Sequence, residues 1–434
     1  MKRYLIYTMA VLVIAVTACK KKVEPDDTEA KRGRDILYGL MGEWYFWYKN
    51  MPQVTVGDYK DAYELLEAMR YKPVDRWSFV TDYASFTSYY EGRFAGHGIR
   101  IGLDDQNKAR IAMIYRNSPL YPQQVRRGWV VKSVNGVDVG ALLAAGNFEA
   151  YNTVMGPRQI GVTNTFVFTK PDGTDVQISS TKAEFQVNSV LDYDTLNLTS
   201  GKTGYLAFEA FIEPSPAELR QAFAFFLQEG VQDLILDLRY NSGGMLTVAD
   251  TLASYIAGND NAGSIFIRSV HNDKKTAENR SDLLLTTGYS LDARKMVVLT
   301  TRETASASEN IINGLIPYTG VKTIGDTTGG KPVGMYAFSD LKKVFVFAPI
   351  TFQLVNADGN GDYFNGIIPH QYVPDDITRD FGDRQELMLK AAITYLETGG
   401  TKTAQQEPYR KTVLEPGRPE WQKNLFIYNP DNNR

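Results

Sequence analysis

The sequence predicts an α/β protein with a β-rich block inserted ahead of its layered part, and three patterns carry that expectation. Between about 186 and 398, apolar strands alternate with amphipathic helices, the repeat of a layered α/β domain. Residues 95–185 alternate apolar and polar in β fashion, punctuated by glycine and Asn-Gly turns. Residues 32–85 instead repeat aromatic and aliphatic side chains at helical spacing. A chain of 434 residues has length for roughly two to four such units.

The N-terminal unit comes first. Leu37-Tyr38, Met41, Trp44-Tyr45 and Trp47-Tyr48 line up at helical intervals, and 59–70 forms a second amphipathic segment. This aromatic cluster is read as core packing. Asp75-Arg76-Trp77-Ser78-Phe79 then leads out of the unit. In the β block, 98–102 is a strand after a glycine turn and 109–115 is another. Ser118-Pro119-Leu120 opens a short helix, and 128–136 is a strand running into the turn Asn135-Gly136. In the layered part, 204–211, 233–238 and 296–301 read as strands, and 216–228, 246–256 and 306–316 as helices. From 399 to 434 the chain is polar and proline-spotted, a tail expected to lie over the surface.

Composition is ordinary for a soluble protein, with 43% hydrophobic and 22% charged residues. A net charge of −3 carries no polyanion-binding signature, so nucleic acid is not expected as a partner. The first nineteen residues are more telling. Met1-Lys2-Arg3 is basic, and 4–18 is almost wholly apolar but too short for a membrane span, the form of a secretion signal. It ends in Val16-Thr17-Ala18-Cys19, which resembles a bacterial lipobox, and Cys19 is the chain's only cysteine. With no disulfide partner available, Cys19 is expected to carry a lipid. Residues 20–31 then form a polar tether to a bilayer. The expected location is the cell envelope, on the periplasmic or cell-surface side of the outer membrane.

Two short stretches carry chemistry. TASASE at 304–309 and GDTTGGK at 325–331 set Ser306 and Lys331 twenty-five positions apart, each in a turn of small residues after an apolar strand. A serine hydroxyl needs a neighbouring base to become a nucleophile, and lysine serves only if burial drops its pKa. The uncharged residues from Thr327 to Gly330 suit such burial. Thr304, Ser306 and Ser308 compete as nucleophile on these grounds alone. A third stretch, Asp237-Leu238-Arg239-Tyr240-Asn241-Ser242-Gly243-Gly244, feeds a strand into a glycine turn. There Gly243 or Gly244 offers one oxyanion donor, and the Ala307 amide a second. Asp237 and Arg239 read as an architectural pair.

These motifs resemble those of the carboxy-terminal processing (tail-specific) serine proteases, over roughly 32–398 and most closely at 233–244 and 304–331. The resemblance implies a crotonase-like ββα-spiral protease domain and an N-terminal helical domain. It selects Ser306 as nucleophile, the middle serine of the family's S-A-S-A-S-E, and Lys331 as base. The 95–185 block resembles a PDZ domain, with Trp129 where aspartate is usual. Gly98, Ile99, Arg100, Ile101 and Gly102 would then form the edge that takes an extended peptide. One departure is Met335, where many family members carry a glutamine that orients the lysine.

His97, His271 and His370 have no acid partners at telling spacing, and 358–362 reads as a hairpin turn rather than a calcium loop. No metal or cofactor is expected. The expected function is an exported serine endopeptidase acting on extended or unfolded polypeptides through a Ser/Lys dyad. Its rivals are a catalytically silent peptide-binding protein on the same scaffold and a carbohydrate- or lipid-handling envelope protein. Substrate identity and oligomeric state are left open.

Overall fold

The computed structural model describes residues 27–400, 413–414, 416, 419–422 and 426–428. The signal-like segment and Cys19 lie outside the described residues. Among those described, no helix is long and apolar enough to cross a membrane.

The layered part is built on a six-stranded sheet. Its order is Gln371–Tyr372, Gly320–Gly325, Lys295–Thr300, Asp233–Asp237, Gly201–Phe208 and Val190–Leu198. Every pair is parallel except the last, an antiparallel pair at the edge. Asp233–Asp237 is buried along its whole length, as a central strand covered on both faces must be. One face is covered by Ser215–Glu229, whose Leu219, Ala222, Phe223 and Phe226 fall on a single helical stripe and are fully buried. Gly230 ends that helix in a left-handed turn (φ +70°), its amide donating to Leu227 O. Leu246–Ala257 and Ala307–Leu315 complete this core, and Leu387–Thr398 covers the opposite face.

A second six-stranded sheet contains Gly244–Met245, Phe426–Tyr428, Val333–Tyr336, Ile350–Asn356, Ile265–His271 and Arg280–Leu283, in that order. The β block forms a third, with Val413–Leu414 followed by Ile99–Leu103, Ala109–Ile114, Val130–Val134, Thr163–Thr169 and Asp175–Thr181. Helices Val139–Ala144 and Phe148–Met155 pack on it. Asn135 and Gly136 both have positive φ, and Val134 and Val137 exchange hydrogen bonds across them, the two-residue turn expected of Asn-Gly. Trp129 is buried against Phe168, so the departure from aspartate there serves the block's core.

Four expectations are corrected. The first helix, Asp27–Trp44, begins inside the segment read as a tether, because Ala30 already belongs to its buried stripe. The 32–85 region, expected to be helical, also contains a strand. Phe79–Asp82 is a strand paired with Phe345–Ala348, and Leu37, Met41 and Leu65 share one core with Met335, Phe347 and Ile350. The 358–362 turn caps the Ile350–Asn356 strand through Asn356 Oδ1, which accepts from the Asp358 and Asn360 amides. No strand follows it before Gln371–Tyr372, so it is not the turn of a hairpin. Finally, the tail does not merely lie over the surface: 413–414 and 426–428 each add a strand to a sheet.

Candidate active site

Three loops leave the carboxyl ends of adjacent parallel strands and meet: 238–244 after Asp233–Asp237, 301–306 after Lys295–Thr300, and 326–331 after Gly320–Gly325. Ligand sites of open α/β sheets collect at this end.

Ser306 stands between the second loop and helix Ala307–Leu315, with φ 63° and ψ −116°. A non-glycine residue in this region is strained by about 1–3 kcal/mol, so the surroundings must enforce it. They do. The Ala305 amide donates to Asn241 O at 3.1 Å and the Gly329 amide to Thr304 O at 2.8 Å, tying the serine turn to both neighbouring loops. Thr304 Oγ1 donates to Leu238 O (2.8 Å) and Ser308 Oγ to Asn241 O (3.0 Å). Both hydroxyls are thus engaged in holding the loops. Ser306 Oγ is buried and makes no hydrogen bond to any described group. Of the three candidates, only its hydroxyl is uncommitted.

Lys331 is 1% exposed. Burial lowers its pKa from the ordinary lysine value to about 7, against the opposing charges of Asp75 and Glu309. Asp75 is itself buried. Its Oδ1 accepts from the Trp77 and Ser78 amides and its Oδ2 from the Tyr45 hydroxyl at 2.8 Å. The adjacent Arg76 donates to Gly329 O at 3.0 Å, which locks this N-terminal motif onto the lysine loop. Gly330 holds φ +81° where a Cβ would come within 2.4 Å of Phe364 O, so the loop needs glycine there. Met335 lies in the apolar core and offers Lys331 no polar partner.

The group that joins the Ser306 and Lys331 turns is Glu309, fully buried one turn into the helix. Its Oε2 accepts from the Ser306 amide and the Lys331 amide, each at 2.8 Å. Its Oε1 accepts from the Gly330 amide at 2.7 Å and from the Thr328 hydroxyl. Burial raises the Glu309 pKa, and these four donors work against that rise. Sequence reasoning gave Glu309 no role. The S-x-x-E spacing of a helix-start capping box, Ser306 to Glu309, was the available signal.

In the first loop, Asn241 Nδ2 donates to Phe208 O (3.0 Å), and Asn241 Oδ1 accepts from the Gly243 amide (2.9 Å). The Gly243 hydrogen is therefore spent within the turn, and Gly244 pairs with Phe426 of the C-terminal tail. Ala307 opens the helix, where first-turn amides have no helical carbonyl to reach. Arg239 and Asp237 are paired at 2.8 Å, as expected, and Glu386 and Asp375 complete a buried cluster.

The strand Ile99–Leu103 sits beside this centre. Arg100 donates to Glu303 Oε2 at 2.8 Å, three residues before Ser306. Gly98 has φ +72° and packs where a Cβ would meet Ser118 at 2.0 Å. Ile101 and Gly102 pair with Leu414 and Val413, and Ile99 lines a cleft of about 540 Å³. The histidines are held elsewhere: His97 by Asn164 and Ser180, His271 by Tyr336 and Asn279, His370 by Thr323. Among the described residues, no three or more His, Cys, Asp or Glu side chains cluster as metal ligands.

Three parallel-strand loops thus bring the turns of a strained serine and a buried lysine onto one carboxylate. The model of peptidase family S41 matches residues 202–373, and that of the peptidase S41 N-terminal domain matches 34–79. The chain belongs to peptidase family S41, with carboxy-terminal processing proteases among its relatives. A CtpA-like serine protease of Staphylococcus aureus is 27% identical over 309 residues, 70% of this chain and 56% of the relative. Carboxyl-terminal-processing peptidase 3 (chloroplastic) of Arabidopsis thaliana is 24% identical over 289 residues, 62% of this chain and 52% of its own length. The chain thus spans about half the length of the curated relatives it matches. The crystal structure of an S41 protease from Bacteroides fragilis superposes with TM-score 0.69 at 22% identity, covering 83% of this chain and 96% of that one. That likeness is one of fold.

Proposed function

We propose that this chain is a serine endopeptidase that cleaves extended or unfolded polypeptides with Ser306 as nucleophile and Lys331 as general base. The observation that carries this reading is the pairing of an uncommitted, strained serine with a fully buried lysine whose pKa is lowered to about 7. Both are tied by their backbone amides to one carboxylate oxygen.

In the first step Ser306 Oγ bonds to the scissile carbonyl carbon while its proton passes to the neutral Lys331 amine. The negative oxygen of the tetrahedral intermediate is held by the Ala307 amide, at the start of a helix whose dipole favours negative charge, with the glycine turn at 243–244 as the second donor. As the C–N bond breaks, the Lys331 ammonium returns the proton to the leaving amine. Water then attacks the acyl-serine carbonyl carbon and gives a proton to Lys331; the bond from that carbon to Ser306 Oγ breaks as the Lys331 ammonium returns the proton to Oγ, and the acid product leaves. No step draws on a cofactor.

The layered part is read as a crotonase-like spiral and the 95–185 block as PDZ-like, offering its Ile99–Leu103 edge to extended peptide. Residues 1–19 are read as an export signal with a lipid anchor on Cys19, which holds the enzyme in the cell envelope. A silent peptide-binding scaffold, to which Met335 lends weight, gives no reason for a buried lysine beside an unbonded serine. The test is hydrolysis of a permanently unfolded protein such as reduced, alkylated casein by the purified chain from residue 23 onward. Cleavage by the parent and none by Ser306→Ala supports the reading; equal cleavage by both, or none by the parent, sinks it.

A further inference from the structure

The second sheet has a gap next to the reacting groups. Gly244–Met245 leaves the loop that supplies the oxyanion donor, and Val333–Tyr336 starts two residues after Lys331. These two strands do not pair with each other. Between them lies Phe426–Tyr428 of the chain's own C-terminal tail, parallel to both: Phe426 opposite Gly244, Ile427 opposite Met245 and Met335, and Tyr428 opposite Tyr336. The same tail fills a second peptide edge, since Val413 and Leu414 pair antiparallel with Gly102 and Ile101. Val413 is 2% exposed there.

Between these two strands, Trp421 is anchored in an aromatic seat. Trp421 stacks on Phe79 with ring centroids 5.5 Å apart, flanked by Tyr89 at 5.7 Å and Phe86 at 6.2 Å. Pro416, Pro419 and Gln422 line the cleft that also exposes Ile99. One segment thus makes main-chain pairs at the PDZ-like edge, crosses an aromatic seat, and makes main-chain pairs again between the oxyanion loop's strand and the lysine's strand. Main-chain pairing is blind to sequence, so any extended polypeptide could make the same pairs.

We propose that the slot between Gly244–Met245 and Val333–Tyr336 is a binding site for extended polypeptide, and that residues 413–428 occupy it as an intramolecular competitor. The inference rests on the peptidase reading for its consequence but not for its binding geometry. The tail is joined to the body by a short connection, so its effective concentration is in the millimolar range, and substrate must displace it. Such competition raises KM and leaves kcat unchanged.

The test keeps the whole chain through folding. A recognition sequence for an unrelated site-specific protease replaces 403–408, and the tail is severed in the folded protein. Severing is expected to lower KM for unfolded casein roughly tenfold at constant kcat. Trp421→Ala in the uncut chain should move KM the same way. Independently of catalysis, a labelled synthetic peptide of residues 411–430 should bind the severed Ser306→Ala protein saturably, and unstructured peptides should displace it. Absence of saturable binding, or an unchanged KM in both the severed and Trp421→Ala forms, overturns the proposal. Competitive binding without hydrolysis by any form supports the slot and overturns the peptidase reading alone.

Discussion

At the residue scale the account turns on three buried side chains, Ser306, Glu309 and Lys331. Ser306→Ala should lower peptide hydrolysis by about 10³-fold or more with an unchanged unfolding transition, because the group removed makes no hydrogen bond. Ser308→Ala should do the reverse, sparing the chemistry but costing about 1 kcal/mol of stability, since its hydroxyl holds Asn241 O. Lys331 sets the pH dependence. Only the neutral amine accepts a proton, so activity should rise with pH through a single ionisation near 7. Between that folded pKa and the unfolded lysine value of about 10.4, the unfolded chain binds more protons. The cost of burying Lys331 is therefore relieved as pH rises through this window. Lys331→Met should accordingly be inactive yet more resistant to denaturant at pH 7, on the order of 1 kcal/mol or more. A Lys331→Met protein less stable than the parent would show that the lysine sits comfortably charged.

At the scale of elements, the loops owe their shape to glycine and to shared acceptors. Gly330→Ala forces a Cβ into Phe364 O and a positive φ on alanine, and should cost activity and several kcal/mol of stability, measured by urea titration. The elements themselves were largely legible in the sequence. A run such as Leu234-Ile235-Leu236 can only be a buried strand, and Ser306 and Lys331 stand out by spacing and by the small residues around them. What escaped was long-range. Glu309 sits in the quoted motif, yet its four donors come from residues up to 22 positions away, and no local pattern announces such convergence. Likewise Phe79–Asp82 reads locally as the end of a helical region. Its partner strand, Phe345–Ala348, lies across the fold and decides otherwise. The tail's polar, proline-spotted letters gave no hint of strands, because both are short and borrow their pairing from existing edges.

At the scale of the whole molecule, the β block, the N-terminal helices and the layered part form one body around the site. Arg100 reaches from the β block to Glu303, Arg76 from the N-terminal motif to Gly329, and Arg127 to the Tyr240 hydroxyl at 2.9 Å. Each of the three loops is therefore held by an arginine, two from the β block and one from the N-terminal motif. The anchor proposed at Cys19 belongs to this scale: Cys19→Ser should leave the protein in the soluble fraction or as uncleaved precursor, and a processed Cys19→Ser form still in the membrane fraction would refute it. The central claim, a serine activated by a neutral lysine, is tested most directly by the rate at which a fluorophosphonate labels the folded protein as a function of pH. The account predicts labelling of Ser306, located by peptide mapping, with a rate that rises through one ionisation near pH 7 and vanishes in Lys331→Arg. Labelling of another serine, or an undiminished rate in Lys331→Arg, would contradict it.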